Sequence, residues 1–324
     1  MQDAAKDEIS KHSDKTTDIQ NSLNDAVHKV INGDDPDGSE GLEAIKQVYA
    51  DQEAANINKA AEAAKKRVQK SGLAAADQAD YLNAIDNAAK IATAKPGDPS
   101  YDASKSIYGT SDGTAIKQRE AIAQTAFDKA AAKAEVAGFA VTNQNDLSVN
   151  SNSDIAKAIS DGLANIDKAA DSSAVATLED TAKKNVLKAI SKQKLADVEA
   201  DVENQISNIS GLTAQNIDDA KKQAQKILSN NADPLGYTQR VDQADSLTTI
   251  DGARNDGITA LNNLLTKQQE LGKRNNQLSD AVAQIRQKQQ DAEKAINDIT
   301  GLSGEDKRDT LIKLRRLLTT VLTV

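Results

Sequence analysis

Cysteine is absent from the 324 residues, which excludes a disulfide framework, thiol catalysis and cysteine-based zinc sites. Tryptophan is absent as well, and the aromatics amount to five Tyr and two Phe. Large aromatic side chains supply much of the buried area of a thick core. A wide globular core is therefore not expected, and Ala, Leu, Ile and Val must do the packing, which suits thin helical bundles. No run of about 18 apolar residues occurs, so no segment reads as a membrane span and no membrane insertion is expected. A basic excess is missing too. The 40 Lys and Arg against 49 Asp and Glu leave a net charge of −9, which disfavours nucleic acid or an anionic membrane as partner.

Chemistry-bearing patterns are equally scarce. The two histidines, His12 and His28, have no Ser or Cys partner signature and read as exposed helix residues. There is no glycine-rich phosphate loop, HExxH or nucleotide fingerprint. The stretch NGDDPDGSEG (32–41) fails as an EF-hand loop: placing Gly38 at the required glycine puts Gly33 and Ala44 at ligand positions. No catalytic, cofactor-binding or metal-ligating residue is assigned, no cofactor is expected, and the protein reads as non-enzymatic.

Two recurring markers organise the rest. The four prolines fall in three patches rich in Gly, Asp and Asn: INGDDPDGSEG, AKPGDPSYD and NNADPLG. These read as turns between helical stretches. A Ser/Thr followed by an acidic residue recurs as Ser39-Glu40, Thr110-Ser111-Asp112, Thr177-Leu178-Glu179 and Thr249-Ile250-Asp251. Each reads as a helix start, the hydroxyl accepting from free N–H groups and the carboxylate facing the helix dipole. Between them lie Gly72-Leu73, Gly138-Phe139, Gly211-Leu212 and Gly301-Leu302, each read as a helix C-cap. The last interval is the longest, which places an insertion of about five turns in residues 264–290.

The unit is thus about 70 residues: a long helix, a turn, a second helix and a polar connection. Leu187, Ile190, Leu195, Val198, Val202, Ile206 and Ile209 form the apolar stripe of one long helix, and Ile217, Ala220, Ala224 and Ile227 that of the next. Ile19, Leu23, Val27 and Val30 form an apolar face in the tail of an earlier unit. Arg119 breaks the pattern where Val48, Val186 and Ile258 fall. Residues 1–38 read as the end of a preceding unit, 39–109, 110–176 and 177–247 as three repeats, and 248–324 as a fourth with longer helices. The expected fold is all-α, an elongated tandem array of antiparallel three-helix-bundle-like repeats. Residues 141–154 read as a long polar joint. The tyrosines at 101, 108 and 237 read as caps on a thin core near connections. Residues 310–324 read as a packing helix, with a membrane-active helix as the alternative.

At TTIDGARNDGITAL (248–261), Thr248 or Thr249 is expected to cap, and Gly257 falls inside a running helix. Glycine there costs roughly 1 kcal/mol against alanine. A neighbouring helix or connection is therefore expected to approach closely. Gln47, Gln118 and Asn185 stand at the equivalent places. With Thr249, Asp251, Ala253, Gly257, Ile258 and Leu261, this stretch resembles the helical repeats of giant Gram-positive surface proteins, such as the staphylococcal extracellular-matrix-binding protein and lactobacillus adhesins. The resemblance implies a string of three-helix units on the cell surface without enzymatic activity. It further implies a signal peptide and wall anchor outside this chain, and in some members a surface for a host extracellular protein or glycan. The functional expectation is a structural stalk or adhesin segment, a monomeric rod that presents a host- or matrix-binding region. A ligand-binding helical module and, less favoured, a membrane-active helical protein stand as alternatives.

Overall fold

Alanine dictates the architecture. A buried methylene contributes only about 0.8 kcal/mol, so an alanine-rich interface must be long and close to hold. The computed structural model describes residues 17–35, 37–145, 147 and 152–322, and among these every α or β element is an α-helix. Ten occur: α1 (Thr17–Asn32), α2 (Ser39–Gln69), α3 (Ala75–Thr93), α4 (Gly113–Gln144), α5 (Ser153–Asp167), α6 (Ser172–Ser207), α7 (Ala214–Ser229), α8 (Tyr237–Gln243), α9 (Leu247–Asp298) and α10 (Gly304–Leu322). A 3-10 turn, Ile107–Gly109, precedes α4. Long helices of 31, 32, 36 and 52 residues alternate with shorter ones. Residues 264–290, where an insertion is expected, lie within the uninterrupted helix α9.

The chain divides into two compact units, Met1–Ile190 and Ser191–Val324. In the first, α2, α3 and α4 pack against one another and α1 packs on α2. Ile57, Ile85, Ile116 and Phe127 are sealed among alanines at their centre. Further along α4, Ala132, Val136 and Ala140 join a second cluster with Ile155 and Ile166 of the α5 region and Val175, Val186 and Ile190 of α6. One unbroken helix therefore serves two successive cores. In the second unit, α7, α8 and α9 pack together and α10 packs on α9. Leu195, Val202, Ile206, Ala224, Val241, Ile250 and Leu261 are buried there, and Val198, Ile209, Ile217 and Ile227 are half-buried.

The helix starts need four corrections, the first at α2, which follows Gly38 without a side-chain cap while the Ser39 hydroxyl donates to Asp37 at 2.8 Å. α9 is capped by Ser246, whose hydroxyl accepts from the Thr249 N–H at 3.1 Å, so Thr249 is the reciprocal member of a capping box. α6 begins at Ser172, with the Asp171 carboxylate accepting from the Ala174 N–H at 2.8 Å, so Thr177 lies inside it. α4 is capped by Asp112, not by Thr110. Residues 141–154 are also less of a joint than expected, since α4 runs through 141–144 and α5 starts at Ser153 with Asn152 as cap. Arg119 breaks the apolar pattern because its guanidinium donates to the Ser106 carbonyl and holds the connection to α4.

Gly72, Gly211 and Gly301 follow helices with φ of 90°, 87° and 113°, as C-caps do. Gly138 is different: it is buried in the interior of α4. A Cβ there would fall far inside the 3.0 Å that real Cβ atoms keep from their neighbours, against the Ser71 carbonyl. The turn after α2 thus rests directly on the backbone of α4. The second unit repeats the arrangement, with a Cβ at Gly272 of α9 reaching 2.5 Å from the Ser210 carbonyl oxygen.

Gly257 is buried on α9, where a Cβ would stand 2.7 Å from Leu195 Cδ2 and 2.9 Å from Tyr237 Cβ. The close approach comes from α6 and from α8, which stands against this face. Gln47, Gln118 and Asn185 are exposed. Gly257→Ala is expected to destabilise by about 1–2 kcal/mol, overpacking outweighing the gain in helix propensity. Urea unfolding checks this, and a rise in midpoint would contradict it.

Candidate functional site

The densest polar constellation lies in the first unit, beside the turn that rests on Gly138. Arg67 leaves the last turn of α2, where a cation also suits the helix dipole. Its Nε and Nη2 donate to the two oxygens of Glu135 at 2.9 and 3.2 Å. Nη1 donates to Asp128 Oδ1 at 3.1 Å, and Nη2 also to Glu179 Oε2 at 3.1 Å. Lys183, one turn beyond Glu179 on α6, pairs with Glu179 and reaches Glu135 Oε2 at 3.4 Å. Asp128 and Glu135 project from α4, so three helices contribute to one cluster.

Three carboxylates against two cations leave one negative charge in excess, and burial makes that costly. Burial raises Glu179, reinforced by its hydrogen bond with Glu135 and opposed by Lys183. Burial also pushes Glu135 up, but hydrogen bonds from Glu179 and Arg67 and the charges of Arg67 and Lys183 bring it down to about 2. Proton uptake at Glu179, the carboxyl that is raised, is the change that would relieve the excess. The lowered Glu135 contributes stability that is present above the ordinary carboxylate range and fades as pH falls toward 2. The raised Glu179 contributes stability that is full below that range and fades as pH rises through its own titration. Glu179→Gln is expected to flatten the stability slope between pH 7 and 5 relative to the parent. Urea titrations of both proteins at the two pH values test this, and parallel slopes would contradict it.

An open cleft of about 380 Å³ adjoins the cluster, lined by Arg67, Lys70, Ser71, Phe139, Thr142 and Lys183 among others. The Ser71 hydroxyl accepts from the Leu73 N–H, and the Thr142 hydroxyl donates to the Gly138 carbonyl at 2.9 Å. The carboxylates bind cations already in place, so the arrangement braces three helices.

Other sequence candidates fall elsewhere. His28 is exposed on α1, and His12 lies outside the described residues. In the 32–41 turn, Asp35 is buried and accepts from the Gly41 N–H at 2.8 Å. Among the described residues no group of His, Asp and Glu is arranged to hold a metal ion. Tyr108 donates to Asp51 of α2 at 2.5 Å beneath Lys95 and so ties the connection before α4 to α2, whereas Tyr237 carries Arg240 of its own helix, α8, over its ring at 4.6 Å. On α10, Arg315 holds Glu293 of α9 with two hydrogen bonds. Leu318 and Val321 of its expected stripe have side chains outside the described set. No described helix is long and apolar enough to cross a membrane. The Arg67 cluster itself went unread in the sequence, since its members are spread over more than a hundred residues with no local motif.

These observations define an all-helical protein braced by long helices and backbone-to-backbone seats. Comparison with known proteins returned no matching family, no matching curated protein and no matching solved structure.

Proposed function

We propose that the chain is a non-enzymatic structural segment of a bacterial cell-surface protein, a stalk or adhesin segment made of tandem three-helix repeats. Its role is mechanical: it projects a binding region toward a host protein, matrix component or glycan. The observation that supports this reading is the continuity of α4, whose residues enter two successive apolar clusters without a break. A 32-residue helix is about 48 Å of continuous backbone. Bending it between the cores would break hydrogen bonds along its length. The Arg67 cluster adds a cross-brace between α2, α4 and α6 at that place.

A second reading, a ligand-binding helical module, is favoured by the cleft beside Arg67, where Lys70, Thr142 and Asn143 stand together. Small-angle scattering and binding separate the two. A compact chain of this length would have a radius of gyration of roughly 20 Å. The stalk reading predicts at least about twice that, with rod-like decay at intermediate angles. A value near the compact limit would sink it. Saturable binding of matrix proteins or mucin glycans, lost on Lys70→Glu, would favour the module.

A further inference from the structure

Each unit contains a Ser-Gly-Leu turn seated on a helix that comes later in the chain. Ser71-Gly72-Leu73 joins α2 to α3 and rests on Gly138 of α4. Ser210-Gly211-Leu212 joins α6 to α7 and rests on Gly272 of α9. In both cases the seating helix carries Thr or Asn one turn after its glycine. Thr142 lies within reach of Gly72, while Asn275 Nδ2 donates to the Gly211 carbonyl at 2.9 Å and Asn276 Nδ2 to Ser210 Oγ at 3.2 Å. The seat is therefore a recognisable object: a helix with Gly, then Asn or Thr three or four residues on.

A third turn of the same kind, Thr300-Gly301-Leu302, joins α9 to α10. Its glycine has φ of 113°, as the other two have left-handed values, yet among the described residues nothing lies within 4 Å of a Cβ built on it. The hairpin below it is correspondingly bare. Leu278 is 65% exposed and Leu317 68%, and Ile299, Leu302 and Ile312 are also exposed. An open groove of about 740 Å³ runs along it, lined by Ala281, Ile285 and Leu314 with Gln284, Lys288 and Asp291. Its one cation and one anion balance, so the groove asks for an apolar stripe and not for a polyanion.

We propose that the α9–α10 hairpin is a docking surface for one amphipathic helix of a partner polypeptide, built like α4 and α9. That helix has at least five turns, an Ala/Leu stripe, a glycine that seats the Thr300-Gly301-Leu302 turn, and Asn or Thr one turn later. Charge balance in the groove and the two occupied turns of the same design argue for this occupant. A second copy is a poor one, because the seating glycines of the chain, Gly138 and Gly272, are each already covered by a turn. The proposal does not rest on the stalk reading, and a compact result in scattering leaves it standing.

The probe is a synthetic peptide copying residues 247–278, labelled at its N-terminus and titrated with the full chain. Saturable one-to-one binding with a gain in helicity is expected. Gly272→Ile in the peptide is expected to weaken it about tenfold or more. Leu302→Asp and Leu317→Asp, both at exposed positions of the chain, are expected to do the same without loss of helical content. The proposal is overturned if the peptide does not bind. Equal affinity of the Gly272→Ile peptide, or indifference to both chain variants, overturns it as well. So does concentration-dependent dimerisation of the chain that Leu302→Asp abolishes, since a second copy would then be the occupant.

Discussion

Gly138→Ala is expected to lower the unfolding free energy by about 2–3 kcal/mol, although alanine is the better helix former. In an open helix the exchange would gain up to about 1 kcal/mol. Here the new methyl group meets the Ser71 carbonyl, with the Gly72 nitrogen 3.3 Å away, and both atoms are backbone. A flexible side chain can swing aside, but this turn moves only by parting α2 and α3 from α4. Overpacking of that kind costs about 1–3 kcal/mol, at times more. Gly252 of α9 is the control, since a Cβ there meets nothing within 4 Å. Gly252→Ala should be neutral or stabilise by up to about 1 kcal/mol. Urea unfolding should show a lowered midpoint for Gly138→Ala and an unchanged or raised one for Gly252→Ala. Equal shifts would mean that the turn does not rest on Gly138.

Arg67→Ala should lower stability by about 2 kcal/mol at pH 7. Removing one partner of a buried pair costs about 3–5 kcal/mol, because charge is left uncompensated. The Arg67 side chain is 37% exposed, so solvent screens part of that. Asp128, Glu135 and Glu179 would be left with Lys183, and proton uptake would become the cheaper way to restore balance. The loss should therefore shrink as pH falls from 7 to 4.5. Arg67→Lys should recover only a minor part, since an ammonium cannot hold Glu135 with two parallel bonds while also reaching Asp128 and Glu179. Denaturant titrations at the two pH values measure both effects. An alanine penalty that is the same at both would show that the carboxylates do not depend on Arg67.

Much of the secondary structure was legible because its signals are local. Pro, Gly and Asp clusters mark the connections, and left-handed glycines end α2, α6 and α9. The stripe of residues 187–206 reads directly as a buried face. Gly257 was legible as a place of close approach because an interior glycine has a cost that something must offset. Gly138 was misread for a reason of the same kind. Gly followed by a large apolar residue is the C-cap pattern, and only the packing of a distant turn distinguishes a seat from a cap. Thr177 and Glu179 imitate a helix start, but Asp171 caps α6 and Glu179 is drawn instead to Arg67, 112 residues earlier. Contacts at such separations follow from helix register and leave no mark in any short stretch.

The seat at Gly138 and the Arg67 cluster have meaning only if α4 is a single rigid element shared by two cores. Amide hydrogen exchange along residues 116–140 tests that claim most directly. The account predicts that amides from Ala123 to Ala140 exchange slowly and with closely similar protection, as one cooperative helix. A fast-exchanging break between Ala131 and Val136, with separate protection on either side, would contradict it.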